Sequence, residues 1–419
     1  MESKTFCMHP FTGLATREDG AIQACCRSHP VGWIQDSTLE EIWNGAPMRL
    51  IRKEVLNGGR PPECEPCFRL EDQGVESLRQ RHITGKIPEA RINLYPNALA
   101  EMNEDYTMPF KIPTMELKLN NLCNLKCRMC HPGDSTSWND WGEVKEFYKG
   151  EGQVIFDIVE EHNLERKPYL DKFDNNPNWW ASFEKNLPYF RRVEFAGGEP
   201  LMDPQHYRIL DMLKPYGENI EIKYATNGTT LGISKGRTIY EYWPYFRSVA
   251  INISIDGIYN VYDYIRGNGD FSVVEDNIRN IQKIPNISRI VGAVAVQVSN
   301  ALVLDKMIEH FLDNLGIVFY TNMVQYPNVL SVQVLPAEIK DLVVTKLKAV
   351  RELVPNFKLV KEHPMLEELT YTQIDGVINF ISAKDLNHLW NDCIEFNHKL
   401  DATRNQSFET VSPEFALYV

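Results

Sequence analysis

The 419-residue chain has no apolar run approaching the ~18–20 residues that a membrane span requires. Its opening, MESKTFCMHPFTG, shows neither a basic region leading into an apolar core nor an Arg/Ser-rich transit pattern, so no targeting segment is read there. Basic residues are not in excess. With 44 Lys and Arg against 57 Asp and Glu, the net charge is −13, which argues against non-specific binding to duplex nucleic acid. Internal repeats and low-complexity tracts are lacking, and no cysteine lies between Cys130 and Cys393. What remains is the composition of a soluble globular protein, 43% hydrophobic and 24% charged. The expected compartment is the cytoplasm, where thiols stay reduced and clustered cysteines are better read as metal ligands than as disulfides.

Position makes the nine cysteines informative. Five fall within the first 67 residues (Cys7, Cys25, Cys26, Cys64, Cys67), three lie in NLCNLKCRMCHPG (Cys123, Cys127, Cys130), and Cys393 stands alone as a buried apolar residue. Soft thiolates suit zinc and iron–sulfur clusters. A structural zinc site closes with four ligands, yet Cys-x3-Cys-x2-Cys offers three. His131 is the one nearby fourth donor, and adjacent residues rarely both reach one ion. Three cysteines on a four-iron cluster leave one iron open for another ligand.

From about residue 115 the pattern alternates between strands and helices. Strands are expected at 114–120, 191–197, 220–226, 248–255, 289–298 and 317–325, with helices such as 204–217, 271–284 and 304–315 between them. Such alternation implies parallel pairing with crossover helices, and about six units suit a partial (β/α)6 barrel. The three cysteines follow the first strand directly, at the strand end where parallel α/β folds carry their chemistry.

These residues resemble the radical S-adenosylmethionine (SAM) superfamily, whose signature is Cys-x3-Cys-x-(aromatic or large apolar)-Cys in the loop after the first barrel strand. Met129 fills the apolar place. The resemblance implies that Cys123, Cys127 and Cys130 hold a [4Fe–4S] cluster whose open iron chelates S-adenosylmethionine, and that reductive cleavage yields a 5′-deoxyadenosyl radical. EFAGGEPLM resembles the family's Gly-Gly-Glu-Pro element, so Gly197, Gly198 and Glu199 would meet the methionine amino group. YATNGTT resembles the segment near the ribose, which brings in Asn227. INISIDGIYNVYDYIRGNG resembles the Ser-x-Asp-Gly…Arg-x-x-Gly segment, in which Ser254 and Arg266 would hold the methionine carboxylate. Taken singly, each element is more simply a turn, a strand serine or a surface charge. Four of them at successive strand ends beside a three-cysteine loop are not.

The N-terminal segment resembles the auxiliary-cluster module of the same family, a twitch or SPASM-like domain. The family pattern Gly-x4-Cys falls on Gly20 and Cys25, so the implied ligands of a second [4Fe–4S] cluster are Cys7, Cys25, Cys64 and Cys67, with Cys26 competing for the place of Cys25. Four-cysteine spacing alone also allows a structural zinc knuckle. Between the cysteine sites, Ser37 and Glu40 have capping-box spacing ahead of an apolar stripe. The module precedes the barrel here, whereas family members more often carry it behind.

The expected organisation is an auxiliary-cluster domain at 1–85, a linker at 86–113, a radical SAM partial barrel at 114–335 and a helical region at 336–419. Trp179 and Trp180, in the insert 134–190, are candidates for a substrate cleft but read first as helix-packing residues; the C-terminal region is a candidate cap for the barrel mouth, with Asp401 and Arg404 read equally as a structural ion pair. The implied enzyme abstracts hydrogen from a small-molecule or nucleotide-like substrate, uses the auxiliary cluster for electron transfer, and draws electrons from a reductase such as flavodoxin or ferredoxin. The start of the sequence at the cluster module, with no ~80-residue leader-binding domain before it, favours that substrate class over the alternative, a peptide. A non-catalytic iron–sulfur or zinc scaffold would leave the Gly-Gly-Glu-Pro and Ser…Arg elements unexplained.

Overall fold

Thr114, Glu116 and Lys118 alternate with Met115, Leu117 and Leu119, and the backbone follows that period of two. A computed structural model describes residues 4–72, 76–83, 97–150, 152–232, 238–411 and 414–415; residues 86–96 of the expected linker lie outside these. The chain divides into two compact units, one comprising Met1–Asn121, Leu170–Tyr224 and Gly232–Ala250, the other Leu122–Tyr169, Ala225–Leu231 and Ile251–Val419.

In the first unit the strand order is β3-β2-β1-β4-β5-β6. Strands β1 (Gly13–Thr16), β2 (Ala21–Gln23) and β3 (Pro30–Trp33) form an antiparallel meander in the cysteine-rich segment. Strand β1 then pairs in parallel with β4 (Thr114–Leu117), which pairs with β5 (Arg192–Phe195), and that with β6 (Glu221–Thr226). Side-chain bonds reinforce the junction: the Thr16 hydroxyl donates to Lys118 O at 2.9 Å, and Thr114 to Thr12 O at 2.9 Å. The cysteine-rich module is thus an extension of the parallel sheet rather than a tethered appendage.

Parallel strands covered on both faces read as continuous apolar runs. Here they do not. Met115, Leu117, Val193, Phe195, Ile222 and Tyr224 are buried on one face. The other face carries two polar rows in register, Thr114–Arg192–Glu221 and Glu116–Glu194–Lys223. The lower row is sealed, with Arg192 and Glu221 buried and paired at 2.8 Å. In the upper row Lys223 donates to Glu194 at 2.7 Å while both side chains keep some exposure, 21% and 12%. This polar face is therefore not sealed like the apolar one opposite.

The capping box falls one residue later than the spacing suggested. Thr38 caps the helix Leu39–Trp43 by accepting from Glu41 N–H, and the Glu41 carboxylate accepts from Thr38 N–H. Both candidate pairs have the same i,i+3 spacing, and burial of Leu39, Ile42 and Trp43 selects the phase.

The second unit contains the end of β7 (Ser248–Ser254), then β8 (Ile287–Val296) and β9 (Val318–Met323), the last two parallel from Val291↔Val318 to Val296↔Met323. Ile255 N–H donates to Ala293 O at 2.9 Å, continuing β7 alongside β8. Helices Tyr259–Arg266 and Phe271–Ile281 connect β7 to β8. The latter starts at Asp270, which accepts from Ser272 N–H, and buries Phe271, Val274, Ile278 and Ile281 along one stripe. Helices Ala337–Leu353, Leu366–Ala383 and Trp390–Arg404 make up the C-terminal region. The expected α/β class, with parallel strands and crossover helices, holds. No described helix is long and apolar enough to cross a membrane.

Candidate functional site

The cysteine loop belongs to the second unit, and it is held by its backbone. Lys126 N–H donates to Gly267 O at 3.1 Å and Arg128 N–H to Ile265 O at 2.9 Å, so the loop runs alongside the end of the helix Tyr259–Arg266. Gly267 ends that helix at φ +46°, and a Cβ there would meet Lys126 O at 2.8 Å. Each cysteine carbonyl has its own side-chain donor. Thr136 and Ser137 donate to Cys123 O at 3.3 and 2.7 Å, the Trp138 indole to Cys127 O at 2.8 Å, and the Tyr148 hydroxyl to Cys130 O at 3.2 Å. These four donors lie in the insert 134–190, and none of them is among the sequence candidates. Hydroxyls and an aromatic just after the third cysteine were the available signal.

Around the loop, three predicted residues come together, and a fourth, Ser254, lies on the neighbouring strand end. Arg266, buried, donates from Nη1 toward Cys127 Sγ at 3.5 Å while its Nη2 lies 2.6 Å from Asp256 Oδ2. The reading of Arg266 as a lone surface charge is thereby excluded. Asn227 donates from Nδ2 to Asn124 Oδ1 at 2.9 Å and toward Cys123 Sγ at 3.8 Å, so it braces the loop. Met129 is half-buried, with Gln297 Nε2 3.7 Å from its sulfur. Ser254 is half-buried at the end of β7, two residues before Asp256. His131 turns both ring nitrogens elsewhere: Nδ1 accepts from Gly133 N–H at 3.1 Å and Nε2 faces Asp134 at 3.2 Å. A zinc site closed by His131 therefore finds no support.

Electrostatics favour a thiolate at the centre of the loop. A hydrogen bond from the Cys130 thiol brings Cys127 down to about 7; burial opposes this and the Arg266 charge assists it. Cys130, as the donor and partly withdrawn from solvent, is pushed well up. The thiolate is the metal-binding form.

Gly197, Gly198 and Glu199 are in the first unit, directly after β5. Gly197 has φ +121°, and a Cβ on it would approach Asn120 O to 3.1 Å. Gly198 N–H reaches the same carbonyl at 3.4 Å. The Glu199 side chain is buried and accepts from Leu201 N–H at 3.0 Å, which caps the turn Pro200–Met202.

A second thiol set lies wholly in the first unit. Cys7, Cys25, Cys64 and Cys67 line one cavity together with His9 and Arg79. Cys25 follows β2 in a turn closed by Ser28, whose hydroxyl accepts from Ala24 N–H at 3.0 Å. His29 N–H donates to Glu63 O at 2.9 Å, docking the turn that carries Cys64, and Cys67 lies on the helix Glu65–Asp72. Burial pushes Cys7 up to about 12, with the Cys64 thiol adding to it; Cys64 also rises to about 12, from burial and then from Cys25 and Cys67. Cys26 behaves differently. Its thiol is raised first by burial and then by the negative charge of the neighbouring Glu116 carboxylate. Adjacent cysteines thus face opposite ways, Cys25 into the four-thiol cavity and Cys26 toward the polar face of β4.

Thiols are the donor type that soft-metal centres take, four of them lining one cavity and three on one tied loop, but among the described residues no group of three or more such side chains stands in a ligating arrangement. The remaining sequence candidates are structural. Trp179 is buried against Phe173 and Phe183, with ring centroids 4.9 and 5.4 Å away, and Trp180 stacks on the Arg208 guanidinium at 3.5 Å. Cys393 is buried beside Asn397. Asp401 and Arg404 do not pair with each other: Asp401 pairs with Arg128, and Arg404 with Asp140. They sit three residues apart on one helix, yet each has a closer partner across the unit.

Comparison with known families gives two matches. Residues 117–293 match the radical SAM superfamily, and residues 7–68 match the SPASM iron–sulfur cluster-binding domain. No curated protein matches the chain.

Proposed function

Because the chain belongs to the radical SAM superfamily and carries an auxiliary iron–sulfur cluster-binding domain, we propose that it abstracts hydrogen from a polar, small-molecule or nucleotide-like substrate. When bound, the active-site cluster supplies the electron that splits S-adenosylmethionine into methionine and the 5′-deoxyadenosyl radical. Everything else is done by the residues of the chain.

The observation that carries the reading is the three-thiol loop, with every cysteine carbonyl tied and a buried guanidinium 3.5 Å from the middle sulfur. Cys123, Cys127 and Cys130 hold the cluster. Arg266, with Ser254, meets the methionine carboxylate; its buried positive charge and its position beside Cys127 support this. Gly197 and Gly198 allow close approach of backbone, and Glu199 accepts from the amino group. Met129 and Asn227 complete the surroundings of the loop.

Cys7, Cys25, Cys64 and Cys67 hold the auxiliary cluster. The shared cavity supports this set over one containing Cys26, whose thiol goes to Glu116. Four thiolates saturate such a centre, which suits electron transfer, to or from a flavodoxin or ferredoxin, better than substrate binding. The reducing cytoplasm suits both thiol sets. The partly exposed row Glu116–Glu194–Lys223 supports a polar substrate, because an apolar one would strip the remaining solvent from these charged groups and offer nothing in its place.

An anaerobic assay on reconstituted, reduced protein tests the reading. S-adenosylmethionine should be converted to 5′-deoxyadenosine and methionine, slowly even without substrate. Turnover that persists after Cys123, Cys127 and Cys130 are all replaced by Ala would sink it.

A further inference from the structure

Between the second and third cysteines of the loop stands Arg128, whose side chain is fully buried. Its guanidinium is spread over acceptors from two segments distant in sequence. Nε donates to Tyr264 O at 3.2 Å, Nη1 to Asn397 Oδ1 at 3.2 Å, and Nη2 to Asp401 and to Gln406 Oε1, the latter at 2.9 Å. The Tyr264 ring lies 3.6 Å from the guanidinium carbon. A second arginine crosses in the opposite direction. Arg404, at the end of the helix Trp390–Arg404, donates from Nη1 to Lys126 O at 2.7 Å and from Nε to Asp140 at 2.8 Å. Its guanidinium covers the ring of Trp138, the residue that donates to Cys127 O.

Residues 126 and 128 flank Cys127, so the two arginines bracket one cysteine from both sides. Burying a guanidinium is costly unless its donors are satisfied, and a solvated loop needs no such anchor. The planar fork also fixes direction as well as distance, which a lysine at this place would not. We propose that Arg128 is a positioning residue for the active-site cysteine loop, and that the C-terminal helix Trp390–Arg404 is thereby a working part of the S-adenosylmethionine site. This rests on the reading of that loop as the cluster-binding segment.

The test uses full-length holoenzyme with Arg128→Gln, Arg128→Lys and Asp401→Asn, and with Arg351→Gln as a control that breaks a half-exposed ion pair to Asp375 in the same unit. Four quantities are read: iron content, the electron paramagnetic resonance spectrum with and without S-adenosylmethionine, KM against kcat for 5′-deoxyadenosine formation, and amide hydrogen exchange over residues 123–130. In Arg128→Gln and Asp401→Asn the loop amides should exchange faster. The cofactor-induced spectral change should shrink, and KM should rise about tenfold or more, as expected for losing a charge-assisted bond. Arg128→Lys should recover part of each, and the auxiliary signal should stay as in the wild type.

Wild-type exchange, spectrum and KM in a folded Arg128→Gln protein overturn the proposal, as does an equal response from Arg351→Gln. If Arg128→Gln does not fold, Asp401→Asn and Arg128→Lys decide by the same criteria. Should wild-type protein fail to cleave S-adenosylmethionine, the functional reading falls, while faster loop exchange in the variants would still establish the anchor.

Discussion

Arg266 Nη2 lies 2.6 Å from Asp256 Oδ2, and both side chains are buried. Burial alone would favour loss of the Arg266 proton, but Asp256 and then Cys127 hold it firmly on. Asp256 is fixed in turn by Ala295 N–H, which donates to its other oxygen at 2.7 Å. A chain of contacts therefore runs from β8 through a carboxylate and a guanidinium to a cysteine of the loop.

Arg266→Ala should leave Asp256 buried and unpaired, at a cost of about 3–5 kcal/mol in stability. Adding Asp256→Asn should return part of that loss, which anaerobic denaturant titration would measure. In the single variant, S-adenosylmethionine affinity by equilibrium dialysis should fall by roughly 1.5–3 kcal/mol. An unchanged affinity would leave Arg266 with a structural role only.

Iron content separates the two thiol sets. With a [4Fe–4S] cluster at each, anaerobic protein should carry about 8 irons, and the Cys123/Cys127/Cys130 triple Ala variant about 4. The triple variant should keep a reducible paramagnetic centre whose spectrum does not respond to S-adenosylmethionine. Zinc in place of that iron would make the N-terminal site a structural knuckle.

The adjacent pair Cys25 and Cys26 gives a sharper contrast. Cys25→Ala should lose the auxiliary centre, whereas Cys26→Ala should keep it, because the Cys26 thiol goes to Glu116. Equal iron loss in both variants would mean that the two thiols share the site.

Asp203 offers a pH test. It is buried, and burial raises its carboxyl to about 6, even though Gln205 N–H donates to it and the Asn120 side chain nearby favours the charged form. The folded state thus holds this proton above the unfolded range near 4. Its favourable contribution is complete below pH 4 and is lost as pH rises through 6. Asp203→Asn keeps an acceptor for Gln205 N–H and has no proton to lose. Its melting temperature should match wild type near pH 4 and exceed it above pH 7, by up to about 3 kcal/mol in stability. A difference independent of pH would contradict the shifted carboxyl.

Much of this protein is local in sequence, and that part is legible without coordinates. The spacing of Cys123, Cys127 and Cys130 lies within eight residues, and Gly197-Gly198-Glu199 is a single turn in which Gly197 takes a backbone conformation that favours glycine. Strand positions also follow from sequence, since β4, β5 and β6 alternate polar and apolar residues on a short period. Element ends were less sharp: the helix expected over 304–315 is α-helical only through Leu304–Glu309 and π-helical over His310–Leu315.

Tertiary structure decided what depends on partners far along the chain. Arg128 lies between two cysteines, and its acceptors on Asn397 and Asp401 come from some 270 residues further along the chain. The Trp138 indole and the Tyr148 hydroxyl donate to cysteine carbonyls that lie 11 and 18 residues earlier in the chain. Cys25 and Cys26 are chemically identical neighbours, and only the register of β4 puts a carboxylate against one of them. Motif spacing is set by bonds along the chain and can be read directly. The satisfaction of a buried donor, or the choice between adjacent thiols, is set by which segments the fold brings together, and no local pattern encodes that.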